Sequence, residues 1–241
     1  MTPRDPKDKL IVALDVDTLA RAESLVDRLA GLVGLFKIGS QLFTACGPAA
    51  VEAVQKRGGR VFLDLKYHDI PNTVAGAARE ATRIGVFMFN VHASGGRAMM
   101  SAAAEAAAAT AKELGAGRPM VLAVTVLTSL DRAALSRELA VSSSVEGHVL
   151  HLCGLAREAG LDGCVASPNE IAAIRRQFGP AWLIVTPGVR PAGAEAGDQS
   201  RIATPAAAAR AGAQYLVIGR PITGAPDPAE AARTILEEMK P

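Results

Sequence analysis

The stretch "FLDLKYHDIPNTV" (62–74) changes character halfway along. It starts as an apolar strand. Asp64, Lys66, His68 and Asp69 then arrive within six residues, followed by Ile70-Pro71 and a helix-like run from about Thr73. A buried strand that ends in carboxylates and an ammonium, with a helix behind it, reads as one unit of an α/β fold whose chemistry sits at the strand's carboxyl end.

The same unit recurs on both sides. Strand-like 10–16 precedes helix-like 19–32, and 35–39 precedes 47–58. The quoted strand, 60–66, precedes 73–85, and 86–93 precedes 96–115. Then 120–128 precedes 145–160, 163–167 precedes 169–179, 182–188 precedes 204–212, and 215–220 precedes 227–239. The strands are short and apolar throughout, as parallel strands covered by helices should be. Many of the helical runs end on Gly, a common helix stop. Eight such units in 241 residues fit an α/β fold of the (β/α)8 barrel type, a single domain over 1–241. A doubly wound sheet is the competitor, but it expects a Gly-rich phosphate turn after the first strand, and "ALDVDTLA" (13–20) has no glycine. The Ala-rich run 102–111 reads as a surface helix of good intrinsic propensity.

Bulk composition narrows the partners. The chain is 49% hydrophobic and 21% charged with a formal net charge of +2, which gives no footprint for nucleic acid or a membrane surface. No run of 18 apolar residues predicts a transmembrane helix. "MTPRDPKDKL" lacks the apolar core of a signal peptide, so a cytoplasmic location is expected. Cys46, Cys153 and Cys164 are odd in number and widely spaced, and predict free thiols rather than disulfides or a zinc site.

In a (β/α)8 barrel the carboxyl ends of the strands and the loops behind them build the site. There the first strand places Asp15 and the second Lys37. The third places Asp64 and Lys66, with Asp69 in the loop. Asn90 and His92 end the fourth, and Thr128 and Ser129 the fifth. Arg190 and Gln199 follow the seventh, and Gly219 and Arg220 end the eighth. Asp64 and Lys66 are two apart and so share one face of their strand. Asn90 and His92 also fit a plainer duty, satisfying buried backbone groups. The segments after the seventh and eighth strands are the usual phosphate site of this fold, and an arginine there can grip phosphate oxygens in pairs. The residues alone thus predict a small phosphate-bearing substrate and a cluster of alternating charge.

"DLKYHDIPNT" (64–73) resembles the signature of the orotidine 5′-phosphate decarboxylase family, and the similarity runs through "ALD" (13–15), "FKIG" (36–39), "NVHASGG" (90–96), "TVLTS" (125–129), "TPGVRP" (186–191), "GDQ" (197–199) and "VIGRPIT" (217–223). The resemblance implies decarboxylation of orotidine 5′-monophosphate to uridine 5′-monophosphate, the last step of de novo pyrimidine nucleotide synthesis, with no cofactor and no metal. It implies Lys66 as proton donor to C6, Asp64 and Asp69 on either side of it, Lys37 linking the network to the ribose, and Asp15 on ribose hydroxyls. Thr128 and Ser129 would address the pyrimidine, and Arg190, Gln199, Gly219 and Arg220 the phosphate. It further implies a homodimer in which the loop after the third strand carries Asp69 and Thr73 into the partner's site. Two other readings are weighed against it. Sugar-phosphate decarboxylases or aldolases with a similar strand use Mg2+ and, by resemblance, an acidic residue where Lys37 stands. A non-catalytic barrel binding a nucleotide phosphate would not need Asp64, Lys66 and Asp69 together.

Overall fold

Parallel strands buried on both faces must be covered inside and out, and this chain does both by closing its sheet. A computed structural model describes residues 5–191 and 203–240. Its strands are β1 (Leu10–Ala13), β2 (Leu35–Gly39), β3 (Arg60–Tyr67), β4 (Met88–His92), β5 (Met120–Val124), β6 (Gly163–Val165), β7 (Leu183–Thr186) and β8 (Tyr215–Ile218). They pair in sequence order, all parallel, and β8 returns to β1 to close the barrel. The helices are α1 (Pro6–Lys9), α2 (Leu19–Leu29), α3 (Ser40–Cys46), α4 (Ala49–Gln55), α5 (Pro71–Arg83), α6 (Gly96–Glu113), α7 (Arg132–Arg137), α8 (Val145–Glu158), α9 (Ile171–Phe178), α10 (Pro205–Ala211), α11 (Arg220–Thr223) and α12 (Pro228–Glu238).

Strand alternation sorts the core into two compartments. Ile11, Leu35, Phe62, Met88, Leu122, Val185, Tyr215 and Val217 fill the barrel interior. The intervening residues, among them Leu10, Val12, Phe36, Leu63 and Phe89, face outward and meet the helices. Side-chain oxygens start several helices by accepting orphan backbone N–H groups: Thr18 from Arg21, Ser144 from Gly147, Thr204 from Ala207, and Asp227 from Ala229. None of the helices among the described residues is long and apolar enough to cross a membrane. The cysteines are free thiols, with Cys153 and Cys164 buried.

Some boundaries differ from the sequence expectation. β1 was expected to run to 16 but stops at Ala13, which leaves Asp15 on a loop. β5 was expected to run to 128 but stops at Val124, which puts Thr128 and Ser129 in a turn. The helix expected over 47–58 is present as α4, and a further helix that the sequence reading lacked, α3, starts straight after β2 and is separated from α4 by Gly47-Pro48. The Ala-rich α6 is no mere surface helix. Met99, Met100, Ala103, Ala107 and Ala111 are buried, and its small side chains let α5 lie close against it. Alanine carries little hydrophobic contrast, which conceals that buried stripe in a pattern search.

Gly163 shows how tightly the barrel wall closes. A Cβ at this position would run into the Leu183 carbonyl oxygen, a backbone atom held in the neighbouring strand. Gly163→Ala is therefore expected to cost about 1–3 kcal/mol through overpacking. A lowered urea midpoint with unchanged slope checks it, and an unchanged midpoint would contradict it.

Candidate active site

The strand ends supply a row of alternating charge. β2 lies beside β1 and β3, with Ala13 opposite Lys37 and Gly39 opposite Asp64. Lys37 projects into the barrel mouth, where its Nζ is 2.8 Å from Asp15 Oδ1 and 3.4 Å from Asp64 Oδ2. Lys66 Nζ is 2.7 Å from the other oxygen of Asp64. The order Asp15–Lys37–Asp64–Lys66 thus sets two carboxylates against two ammoniums. Gly39 makes room for it, since a Cβ there would lie 2.9 Å from Lys37 Nζ and 3.3 Å from Asp15 Oδ1.

Burial raises the stakes of that row. Lys37 and Asp64 are both buried, and burial alone would pull the lysine below its ordinary value. Asp64 and then Asp15 outweigh burial and hold Lys37 above it. It is therefore an ammonium at neutral pH. Nearby, the rings of His68 and His92 lie 5.4 Å apart. Burial, then His68 and Lys66, lowers the His92 pKa against the pull of Asp64, so His92 is neutral at pH 7.

The strand geometry at Lys66 departs from a simple extended run. Along β3, Leu63 pairs with Phe89 and Tyr67 pairs with Val91, four steps against two. The surplus forms a bulge. Within it Lys66 takes a left-handed backbone with φ +51. Asp64 and Lys66 do reach the same mouth as expected, but through this bulge and not through plain alternation. Asn90 stands opposite, fully buried, with its Oδ1 accepting from Lys66 N at 2.8 Å and its Nδ2 donating to Asp64 Oδ1 at 2.7 Å.

A cavity of about 490 Å³ opens above the row. Asp15, Lys37, Asp64 and Lys66 line it, together with Leu127 and Thr128 and with Arg190, Gly219 and Arg220. Ala13, Phe62, Val124, Val165 and Val217 form an apolar floor. Arg190 is buried. Burial and then the neighbouring Arg220 charge lower its pKa from a very basic starting point, so it keeps its charge. Two guanidiniums this close favour an anion.

The remaining expected residues fall elsewhere. Ser129 is exposed and does not line the cavity. Asp69 and Thr73 are exposed in the run 68–73, outside the cavity of their own chain. Asp69 Oδ1 accepts from Ile70 N at 2.6 Å, and among the described residues it forms no ion pair with Lys66. Gln199 lies outside the described residues. Sequence reasoning missed Gln41, which lines the mouth from α3. The available signal was "GSQLF" (39–43), where a helix follows a strand with no loop between. It also missed Val126, Leu127 and the Pro187-Gly188 backbone along the cavity wall. Among the described residues no group of three or more His, Cys, Asp or Glu is placed to hold a metal ion.

Residues 8–235 match the family profile described as Orotidine 5′-phosphate decarboxylase / HUMPS family. The chain is 62% identical to the orotidine 5′-phosphate decarboxylase of Moorella thermoacetica, over 97% of this chain and 93% of that one. It is 55% identical to the enzyme of that name from Geobacter sulfurreducens, over 99% of both chains. Among solved structures, orotidine 5′-phosphate decarboxylase from Lactobacillus acidophilus superposes with a TM-score of 0.86 at 34% identity, covering 97% of this chain and 100% of that one.

The charged row sets a testable pH dependence. Lys37→Met leaves Asp64 with one ammonium instead of two, and is expected to cost about 1–3 kcal/mol at pH 7. That is less than for a buried pair broken outright, because Lys66 remains. Half-exposed Asp15 adds little to the figure. The folded pKa of Lys37 is raised, so its contribution is full below its ordinary value of 10.5 and is lost as pH rises through the folded value. Urea unfolding of both proteins from pH 7 upward should show the gap narrowing only at the alkaline end. A gap that widens there would show the assignment to be wrong.

Proposed function

The chain belongs to the orotidine 5′-phosphate decarboxylase / HUMPS family, and from that premise we infer that it converts orotidine 5′-monophosphate to uridine 5′-monophosphate and CO2. The observation that carries the reading is one cavity lined both by the Asp15–Lys37–Asp64–Lys66 row and by the arginines Arg190 and Arg220. A nucleotide has the matching polarity: a base to be attacked electrostatically, a ribose, and a phosphate.

The chemistry explains the lysine. When the C6–carboxylate bond breaks, CO2 leaves and the bonding electrons stay on C6, with no carbonyl or imine to accept them. Stabilisation must come from charge already in place. Lys66 supplies the ammonium beside C6 and then gives it a proton, ending as a neutral amine. Asp64 holds Lys66 and faces the departing carboxylate. Lys37 ties Asp64 to Asp15, which takes the ribose hydroxyls. Thr128, with Ser129 after a movement of its turn, meets the pyrimidine edge. Arg190, Arg220, the Gly219 backbone and Gln199 take the phosphate, whose binding energy supports the chemistry at C6. The Mg2+-dependent sugar-phosphate reading is disfavoured by Lys37, whose ammonium already stands between Asp15 and Asp64, where an acidic ligand would be wanted.

The working enzyme in this reading is a homodimer. Asp69 and Thr73 sit on an exposed run that also carries Ile70, which is 67% exposed, and that run begins two residues beyond Lys66. A second copy covering Ile70 would bring Asp69 toward the partner's Lys66 and complete two shared sites.

Addition of orotidine 5′-monophosphate should give the ultraviolet change of conversion to the uridine product, equally after EDTA treatment and with Mg2+ added. Lys66→Ala should lower kcat by at least about 10²–10⁴-fold. Strict Mg2+ dependence would favour the sugar-phosphate reading, and near-normal turnover in folded Lys66→Ala would remove the proton-donor role.

Shared sites have their own test. Asp69→Ala and Lys66→Ala should each be nearly inactive. When the two are unfolded, mixed and refolded, half the dimers are mixed, and each mixed dimer has one intact site of two. Roughly a quarter of normal activity should return. A mixture as inactive as its parents, with subunit exchange confirmed, would contradict sharing.

A further inference from the structure

We propose that Asn90 is a positioning residue for Lys66, an inference that rests on the role given to Lys66 above. Its side chain is wholly buried and does not line the cavity, so it does not act on substrate directly. It bridges instead the two parts of the catalytic strand that the bulge would otherwise let drift. Its carbonyl oxygen accepts the backbone N–H of Lys66 at 2.8 Å, and its amide nitrogen donates to Asp64 Oδ1 at 2.7 Å. Only this orientation of the amide satisfies both partners, because a backbone N–H can only donate and a carboxylate can only accept.

Three facts make the clamp more than a satisfied core asparagine. The bonded N–H belongs to a lysine with φ +51, a left-handed conformation that disfavours a residue with a Cβ and so calls for support from its surroundings. That N–H lies inside the β3 bulge, where Tyr67 resumes pairing only at Val91, so the Asn90 side chain stands in for the missing rung of the ladder. The carboxylate oxygen that accepts from Asn90 is also the one that holds Lys66 Nζ at 2.7 Å. Asn90 thus fixes Lys66 at both ends, at its backbone directly and at its ammonium through Asp64. Aspartate could accept the N–H but would set a second carboxylate against Asp64. Alanine would release both.

The clamp predicts a split between binding and turnover, because the phosphate, ribose and base contacts lie elsewhere. In Asn90→Ala, kcat should fall by about tenfold to a hundredfold, the scale of small misplacements at a reacting centre. The affinity for uridine 5′-monophosphate, measured by calorimetry, should stay within about threefold. If the alanine variant does not fold, Asn90→Asp, which keeps the shape and the acceptor, should fold, bind the product and still lose kcat. Hydrogen exchange of the unmutated protein should show the Lys66 amide protected, and rapid exchange there would refute the clamp whatever the variants do. A kcat within twofold of normal in either folded variant would overturn the proposal. So would a loss of product affinity in step with kcat, which would mark Asn90 as general support. Lys66→Ala, run alongside, separates the two levels: if it stays active the decarboxylation mechanism fails, and if it is inactive while Asn90→Ala is normal only the clamp fails.

Discussion

One carboxylate holds the site together. Asp64 is buried, yet it faces two ammoniums and a side-chain amide: Lys37 on one oxygen, Lys66 and Asn90 on the other. A carboxylate in that position is tolerable only while those partners stay in place. The surrounding architecture serves the requirement. β2 and β4 flank β3 and bring Lys37 and Asn90 in from either side, and Gly39 keeps its side of the mouth open for Lys37. Loss of any one partner leaves the other charges buried with less compensation, which couples the stability of this end of the barrel to its chemistry.

The cavity is electrostatically uneven. Its β1–β3 side pairs positive with negative, whereas the loops after β7 and β8 bring two arginines together. An anionic group is drawn to the second region, and a polar reacting centre is left in the first, where fixed charges act in a partly desolvated setting. The apolar lining residues, from Ala13 to Val217, suit a flat ring and supply no competing side-chain hydrogen bonds.

The alternation of eight strands and helices was legible because parallel strands buried on both faces leave unbroken apolar runs, and Gly stops punctuate the helices between them. Asp15, Lys37, Asp64 and Lys66 were legible as a set: each alone passes for a solvated rim charge, but opposite charges at the ends of three neighbouring strands can converge on one mouth. What stayed hidden depended on backbone geometry that residue types do not encode. Nothing in "FLDLKYHD" announces two surplus residues or a left-handed lysine. Asn90 was visible as a candidate for satisfying a buried backbone group, and it does satisfy one, but the identity of that group could not be read from strand 4 alone. α3 was missed because it follows β2 without a loop, and Gln41 was missed with it. Asp69 illustrates a different limit: its place beyond the strand was legible, whereas any contact with a second copy belongs to an assembly that one chain does not contain.

The bulge in β3 has a further consequence, which follows from its even count. Four steps on β3 are matched to two on β4, so the surplus is two residues, one full period of a strand. An odd surplus would have exchanged the inside and outside of everything after it. An even one leaves parity intact, and Tyr67 rejoins the outer layer, packing at 6.0 Å from the ring of Phe89. The barrel can therefore be regarded as a complete scaffold into which a two-residue loop of wall has been let, much as a window is set into masonry without moving the courses above and below. The opening re-aims Lys66 without re-sorting which residues of the wall beyond it face inward and which face outward.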